Sequence, residues 1–330
     1  YRYYMISALL FTVFGLVALV FGGELLVRGA VALAEKAGVS ALVIGVVIVG
    51  LGTSMPELVT SIEAALMGSP AIAWGNIVGS NIANSLLILG AAALVAPMAI
   101  ASTNRWRDPV VALAGSVVLF LLALSGVGSL VIGVLLLAAL AGYIAWCYRE
   151  ERLADPAVVH NAPYDRAQAL ELTDTGLHGA RNGWTRPVML TLIGLAVLVG
   201  GGRLLVDGAI DLARIAGLSE TLIGLTIVAI GTSLPELVTS VVAARKGQPE
   251  VAFGNVVGSN IYNLLGIGGA TMLMAPGAVP AGLLPLDIGL VVASAVVILF
   301  LTAARGVSRL PAFALLAAYA GYLGFLVLTA

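Results

Sequence analysis

Charge is what this sequence has least of. Of 330 residues only 10% are Asp, Glu, Lys or Arg, against 60% hydrophobic, and the mean hydropathy is +1.08. A soluble domain of this composition has too little polar surface to cover itself. The single cysteine, Cys147, excludes an intrachain disulfide and supplies no metal cluster. Histidine is limited to His160 and His178, both in one polar stretch. A net charge of −1 without a basic stripe offers nothing to neutralise phosphates, which excludes nucleic acid as a partner. Nothing around Met5 resembles a cleavable signal with a small-residue cleavage site.

What is present is apolar length, and a repeat. Stretches of about 20 residues, each enough to cross the hydrocarbon core, follow one another along the chain. They make membrane lipid the expected surroundings and leave no extramembrane domain of any size. Residues 52–84 read GTSMPELVTSIEAALMGSPAIAWGNIVGSNIAN and residues 231–263 read GTSLPELVTSVVAARKGQPEVAFGNVVGSNIYN, identical at 22 of 33 positions at an offset of 179. Each copy sets one carboxylate, Glu57 or Glu236, in an apolar neighbourhood. A carboxylate at the centre of a membrane helix costs roughly 2.5–3.5 kcal/mol even on gentle insertion scales, so a matched pair is a functional-site hypothesis.

The apolar segments pair off across the two halves. First helices are expected over 4–27 and 187–206, second helices over 40–66 and 219–245, and third helices over 71–95 and 251–274. Two more follow in each half, near 110–125 and 129–147, then 286–304 and 310–330. Proline removes a backbone donor and glycine relaxes the dihedral restriction, so the second helices should break at 50–56 and 230–235. Such breaks are tolerated in a bilayer only where protein or a cavity surrounds them, and their freed carbonyls are ready cation ligands. Glu24 with Arg28, and Arg203 with Asp207, stand four apart and are placed to pair near helix ends. The stretch 148–186, with Pro156 and Pro163, reads as a solvated connector holding at most one short interfacial helix.

An odd number of spans per half inserts the second half upside down. With the amino terminus outside, thirteen of the sixteen basic residues fall on the cytoplasmic side and only Arg2, Arg203 and Arg214 do not, in line with the positive-inside bias. The expectation is an all-α integral membrane protein of ten transmembrane helices, arranged as two inverted five-helix repeats with broken helices 2, 3, 7 and 8. The first repeat is 1–147, the cytoplasmic connector 148–186 and the second repeat 187–330. Both termini lie outside a prokaryotic inner membrane. Inverted repeats with paired broken helices mark secondary transporters whose site lies at the repeat interface.

The paired motifs supply oxygen and nothing softer. Each repeat offers two hydroxyls (Thr53 and Ser54; Thr232 and Ser233), a carboxylate (Glu57; Glu236) and a serine and asparagine four apart on the next helix (Ser80 and Asn84; Ser259 and Asn263). Hard cations take such a lining, calcium preferring about 6–8 oxygens in flexible geometry. A transition metal would call for His, Cys or Met in these places. Two carboxylates balance one divalent ion and can equally hold sodium ions, a sufficient basis for exchange. The prolines and glycines also serve as packing kinks, the serines can bond back to their own helix, and Asn76 and Asn255 are read as steadying the helix contact. Glu63, whose counterpart is Val242, is read as a surface or vestibule charge.

GTSMPE with GSNIAN, and GTSLPE with GSNIYN, resemble the paired alpha repeats of the sodium/calcium exchangers, within the calcium/cation antiporter superfamily. The resemblance covers nearly the whole chain. It implies antiport of sodium against calcium by alternating access, with the first helix of each half sliding against a core of second and third helices. It places ion-binding roles on Thr53, Ser54, Glu57, Ser80, Asn84, Thr232, Ser233, Glu236, Ser259 and Asn263, with no resident cofactor and calcium and sodium as the transported ions. Several microbial exchangers and the potassium-dependent branch carry aspartate where this chain has Asn263. The potassium-independent animal exchangers carry asparagine, which argues against potassium co-transport. Protonation of the two glutamates should compete with cations, because burial favours the neutral carboxyl until a cation arrives. A proton-coupled exchanger on the same fold is the nearest rival. An intramembrane enzyme would need a nucleophile and base, or a metal triad, that the two connector histidines do not furnish. A passive channel sits poorly with two buried carboxylates that bind tightly.

Overall fold

The computed structural model describes residues 2–37, 50–100, 106–153, 162–173 and 183–329. The expected start of the second helix at Ser40, together with Arg105, Pro156, His160, His178 and Arg181, lies outside the described residues. The chain is almost wholly helical: α1 (Arg2–Lys36), α2 (Met55–Leu66), α3 (Pro70–Val95), α4 (Arg107–Ser125), α5 (Leu130–Leu153), α6 (Ala162–Thr173), α7 (Thr185–Ala216), α8 (Glu220–Thr232), α9 (Leu234–Arg245), α10 (249–274), α11 (Leu286–Ala303) and α12 (Arg309–Thr329). Seven of these, among the described residues, are long and apolar enough to cross a membrane, and α8 with α9 makes an eighth bent by 44°. Two two-residue strands, β1 (Met98–Ala99) and β2 (Gly306–Val307), pair antiparallel and tie the end of α3 to the end of α11.

The internal repeat of the sequence is a repeat of structure. Helices α2 and α9 begin and end 179 residues apart, and so do the α-helical and π-helical parts of α3 and α10. The turns that join them repeat as well: Gly68 and Gly247 take φ values of +78° and +76°, where a Cβ would be strained, and Pro70 and Pro249 then open the next helix. In the outer pairs, Tyr143 of α5 donates to Asp108 of α4 at 3.0 Å and Tyr322 of α12 donates to Asp287 of α11 at 2.8 Å. This matched tyrosine–aspartate bond fixes each outer helix pair at the same height, and Arg107 adds contacts to Asp108 and Glu150 in the first half only.

Helices α1 and α7 run antiparallel in close contact, for a reason visible in their glycines. Gly15, Gly22 and Gly29 recur every seven residues on α1, as do Gly194, Gly201 and Gly208 on α7. A Cβ on Gly22 would stand 2.6 Å from the Leu198 nitrogen, and one on Gly194 2.3 Å from the Leu26 nitrogen. Backbone therefore lies on backbone along the whole crossing, the approach that small residues permit where lipid offers no hydrophobic drive. The Glu24–Arg28 pair forms at 2.6 Å on a half-exposed face of α1.

Helices α3 and α10 occupy the middle. Nearly every residue of Pro70–Ile82 and of 249–261 is buried, polar ones included. The connector departs from expectation. Helix α6 is solvated on one face only: Asp165, Arg166, Ala167 and Ala169 are buried, and the helix lies against α9 and α10. Its alanines permit close approach and Arg166 finds partners inside while Glu171 stays exposed, so polar composition did not keep the whole helix at the surface.

Gly22→Leu is expected to lower the unfolding temperature in detergent markedly, by an overpacking cost of about 1–3 kcal/mol or more. Gly142→Leu, where a Cβ meets nothing within 4 Å, should leave it unchanged. Equal effects of the two would show that the α1–α7 crossing is not glycine-limited.

Candidate ion-binding site

Two chain breaks and two wide helical turns make the site. Before α2 the helix opens into a turn at Thr53 and Ser54, and between α8 and α9 it opens at Ser233. Ser54 and Ser233 have nearly the same backbone angles, φ −89° with ψ 9° and φ −84° with ψ 6°. Pro56 and Pro235, in the first turn of the following helices, lack the N–H that would continue the ladder. Glu57 and Glu236 therefore stand in the first turn of α2 and α9. The third helices are interrupted differently: they do not break, but widen into π-helical turns at Ala83–Ile88 and Tyr262–Ile267, which carry Asn84 and Asn263. Such turns are uncommon and concentrate at functional sites.

All ten expected residues are at most 3% exposed, so the sequence pattern marks an interior and not a rim. The breaks clasp each other across the repeat. Ser54 donates to Glu236 Oε1 and Ser233 donates to Glu57 Oε1, each at 3.0 Å. One oxygen of each carboxylate is thus held by the opposite half, while Oε2 of both remains buried without a hydrogen bond. The two glutamates are near enough for their charges to act on each other. Both side-chain amide atoms of Asn84 and of Asn263 are likewise buried without partners. Orphaned buried oxygens on two carboxylates and two amides fit a hard cation as cargo, because each otherwise forgoes its solvation. Among the described residues no cluster of three His, Cys, Asp or Glu side chains is placed to hold a metal.

The remaining predicted residues are engaged. The Thr232 hydroxyl has Asn76 Oδ1 and the Val228 carbonyl both at 3.0 Å as acceptors for its one proton, Ser80 reaches Asn76 Oδ1 at 3.5 Å, and Ser259 donates to the Asn255 carbonyl at 2.9 Å. Asn76 donates in turn to the Glu57 carbonyl at 3.2 Å and to Ser61 at 2.9 Å. Its counterpart Asn255 donates to Thr239 at 3.1 Å and Ser240 at 2.8 Å. These two asparagines bind α3 to α2 and α10 to α9, the steadying role expected of them. A cavity of about 440 Å3 opens beside the breaks, with Val27 of α1, Thr53, Pro56, Pro235, Thr239 and Leu170 of α6 on its walls.

One residue of the site was not foreseen. Arg166 of α6, fully buried, donates to Thr53 Oγ1 at 3.0 Å and Ser54 Oγ at 2.9 Å, contacts Ser259 Oγ, and reaches the Asn255 carbonyl at 3.5 Å. Its guanidinium lies over the Tyr262 ring, 4.7 Å from the centroid. No periodicity in 162–173 announces this. The one trace in the sequence is that Tyr262 replaces Ala83 within an otherwise matching motif.

With this geometry established, comparison with known proteins is decisive. The family model described as sodium/calcium exchanger protein matches residues 7–149 and 187–328, both halves of the chain. This chain belongs to the sodium/calcium exchanger family. The exchanger is 35% identical to a putative antiporter, CaxA, of Alkalimonas amylolytica, over 83% of this chain and 84% of that one. It is 32% identical to the sodium/calcium exchanger MaX1 of Methanosarcina acetivorans, over 69% of this chain and 72% of that protein. Among solved structures it is similar to the sodium-calcium exchanger NCX_Mj soaked with 10 mM Na+ and zero Ca2+. That match has a TM-score of 0.62 and 28% identity, over 97% of this chain and 99% of the other. The exchanger is accordingly an integral membrane cation antiporter and not an enzyme, with the two-repeat helical fold of its family.

Asn76→Ala and Asn255→Ala are expected to lower thermal stability by about 1–3 kcal/mol each, the cost of stranding buried hydrogen-bond partners. The rise in unfolding temperature that calcium produces should persist in both. Loss of that rise with unchanged stability would make the asparagines ligands instead of struts.

Proposed function

We propose that the exchanger moves calcium against sodium by alternating access, with calcium held between Glu57 and Glu236 at the interface of the two repeats. The observation that carries this reading is the reciprocal clasp: each carboxylate is aimed by a serine of the opposite half and keeps one buried oxygen free of hydrogen bonds. An ion bridging the two free oxygens would join the halves of the molecule, so its arrival and departure bear directly on how the halves sit. Thr53, Ser54, Ser80, Asn84, Thr232, Ser233, Ser259 and Asn263 complete the oxygen set, the hydroxyls and amides serving sodium ions as well. Sodium and calcium then exclude each other by competing for the same oxygens, which is the requirement for exchange without leak.

The names of relatives support the ion pair, MaX1 and NCX_Mj both being called sodium/calcium exchangers. The distribution of basic residues supports both termini outside, and the 36% identity to the inner membrane protein YrbG of Escherichia coli supports a prokaryotic inner membrane, in which case the inward sodium gradient drives calcium out of the cell.

Calcium-45 uptake into proteoliposomes loaded with sodium tests the coupling. Uptake should require internal sodium and vanish when external sodium matches it; uptake that ignores sodium and follows an imposed proton gradient overturns sodium coupling. Glu57→Gln and Glu236→Gln should each reduce uptake by at least about 100-fold, on the scale of roughly 3–5 kcal/mol for unbalancing a buried ionic site. Normal exchange in both single variants would sink the assignment of the glutamates.

A further inference from the structure

The π-helical turns that carry Asn84 and Asn263 match in position, but they are not held alike. In the first repeat the turn Ala83–Ile88 is joined across the molecule, where Asn260 of α10 donates through Nδ2 to Ser85 Oγ at 2.8 Å. Both partners are buried, and Ser85 directly follows Asn84. Asn260 Oδ1 is buried without a hydrogen bond, so the bond to Ser85 is what orients this amide. The equivalent pair, Asn81 and Leu264, cannot form the bond, because a leucine offers no acceptor. Asn81 accordingly folds back and donates to the Ile77 carbonyl of its own helix at 2.7 Å. Leu264 packs toward α4, where a Cβ on Gly115 would lie 3.4 Å from its side chain.

The bond matters because of where it pulls. An α-helix advances 3.6 residues per turn, so the extra residue of a π-turn, on slipping back into the α pattern, would rotate one end of the helix against the other by about 100°. Ser80 lies before the turn and Asn84 within it. Such a slip would turn one of the two away from the carboxylates. Regular backbone pairing favours the slip, and a side chain of the turn that is fastened to another helix opposes it. Ser85 is that side chain, and its partner Asn260 directly follows Ser259, itself one of the ten site residues. At a buried point the bond has no water to compete with it.

We infer that Ser85 and Asn260 are positioning residues of the transport site: their bond pins the first π-turn and sets Asn84 in place before an ion arrives, while Asn263 is left to adjust. The inference rests on the reading of Glu57, Glu236 and the two asparagines as that site. It gives the two amides different parts. A ligand already in position loses little freedom when an ion binds, and an ion held by such groups gains affinity for that reason. Sodium, whose positions are built from hydroxyls and amides, depends on this more than calcium, which two carboxylates hold by charge.

The test is calcium-45 binding to the purified full chain in detergent, displaced by added sodium. Ser85→Ala should need about fivefold more sodium to displace half of the calcium, the worth of one buried hydrogen bond, with the affinity for calcium itself nearly unchanged. Asn260→Ala should do the same, and the double variant should be no worse than either single one, because all three lack the same bond. Asn81→Ala, whose amide serves its own helix, should release calcium at the unaltered sodium concentration. A merely structural role would weaken both ions together; that result, additive losses in the double variant, or an equal loss in Asn81→Ala overturns the inference. Either single variant compared with Asn81→Ala decides the question if the other does not fold. Glu57→Gln separates the inference from the reading beneath it. Calcium binding lost there, with sodium displacement unchanged in Ser85→Ala, rejects the positioning pair alone, whereas calcium binding retained there rejects the site and the pair with it.

Discussion

Two carboxylates in the interior of a membrane protein form a constraint that the rest of the structure answers. Neither Glu57 nor Glu236 can be buried without groups to receive it, and the repeat supplies them reciprocally, Ser233 for one and Ser54 for the other. That exchange explains why the two breaks must face each other, and why the helices that carry them are braced from behind by Asn76 and Asn255. A bond within one half would have left the halves independent. Because the bonds cross, the site is also the seam of the molecule.

Around that seam the structure divides into parts with different mechanical character. The central helices α3 and α10 are buried on all sides, and their π-helical turns aim Asn84 and Asn263 inward at the cost of regular backbone pairing. The α1–α7 pair, by contrast, meets backbone to backbone at its glycines, with Leu19, Leu198 and Leu205 buried in the same cluster. So close a backbone contact holds α1 and α7 to each other as one unit. The cavity lined by Val27, Thr53 and Pro56 lies between these two parts.

Symmetry is a strong organiser here, and its failures carry information. Helices α2 and α9, the turns at Gly68 and Gly247, and the bonds Tyr143–Asp108 and Tyr322–Asp287 repeat with the sequence. Arg166 does not. It enters one half of a two-fold site and stacks on Tyr262, where the other half has Ala83.

Most of the fold and nearly all of the candidate site were legible in the amino-acid order. Apolar length fixed the membrane setting, the offset of 179 fixed the two halves, and proline and glycine beside a lone acidic residue fixed where the helices open, because each of these is a local property of the chain. The heptad glycines of α1 and α7 were equally present in the sequence, but which helix they meet is a matter of packing between residues nearly 180 positions apart. The π-helical turns at Asn84 and Asn263 answer to neighbouring helices rather than to propensity. Above all, the polarity of 162–173 reads as solvation when taken alone, and only the tertiary structure turns it inward. A charged helix can be buried if the interior already holds opposite charge, and the sequence cannot say that Glu57, Glu236 and Arg166 share one place until the two repeats have closed around it.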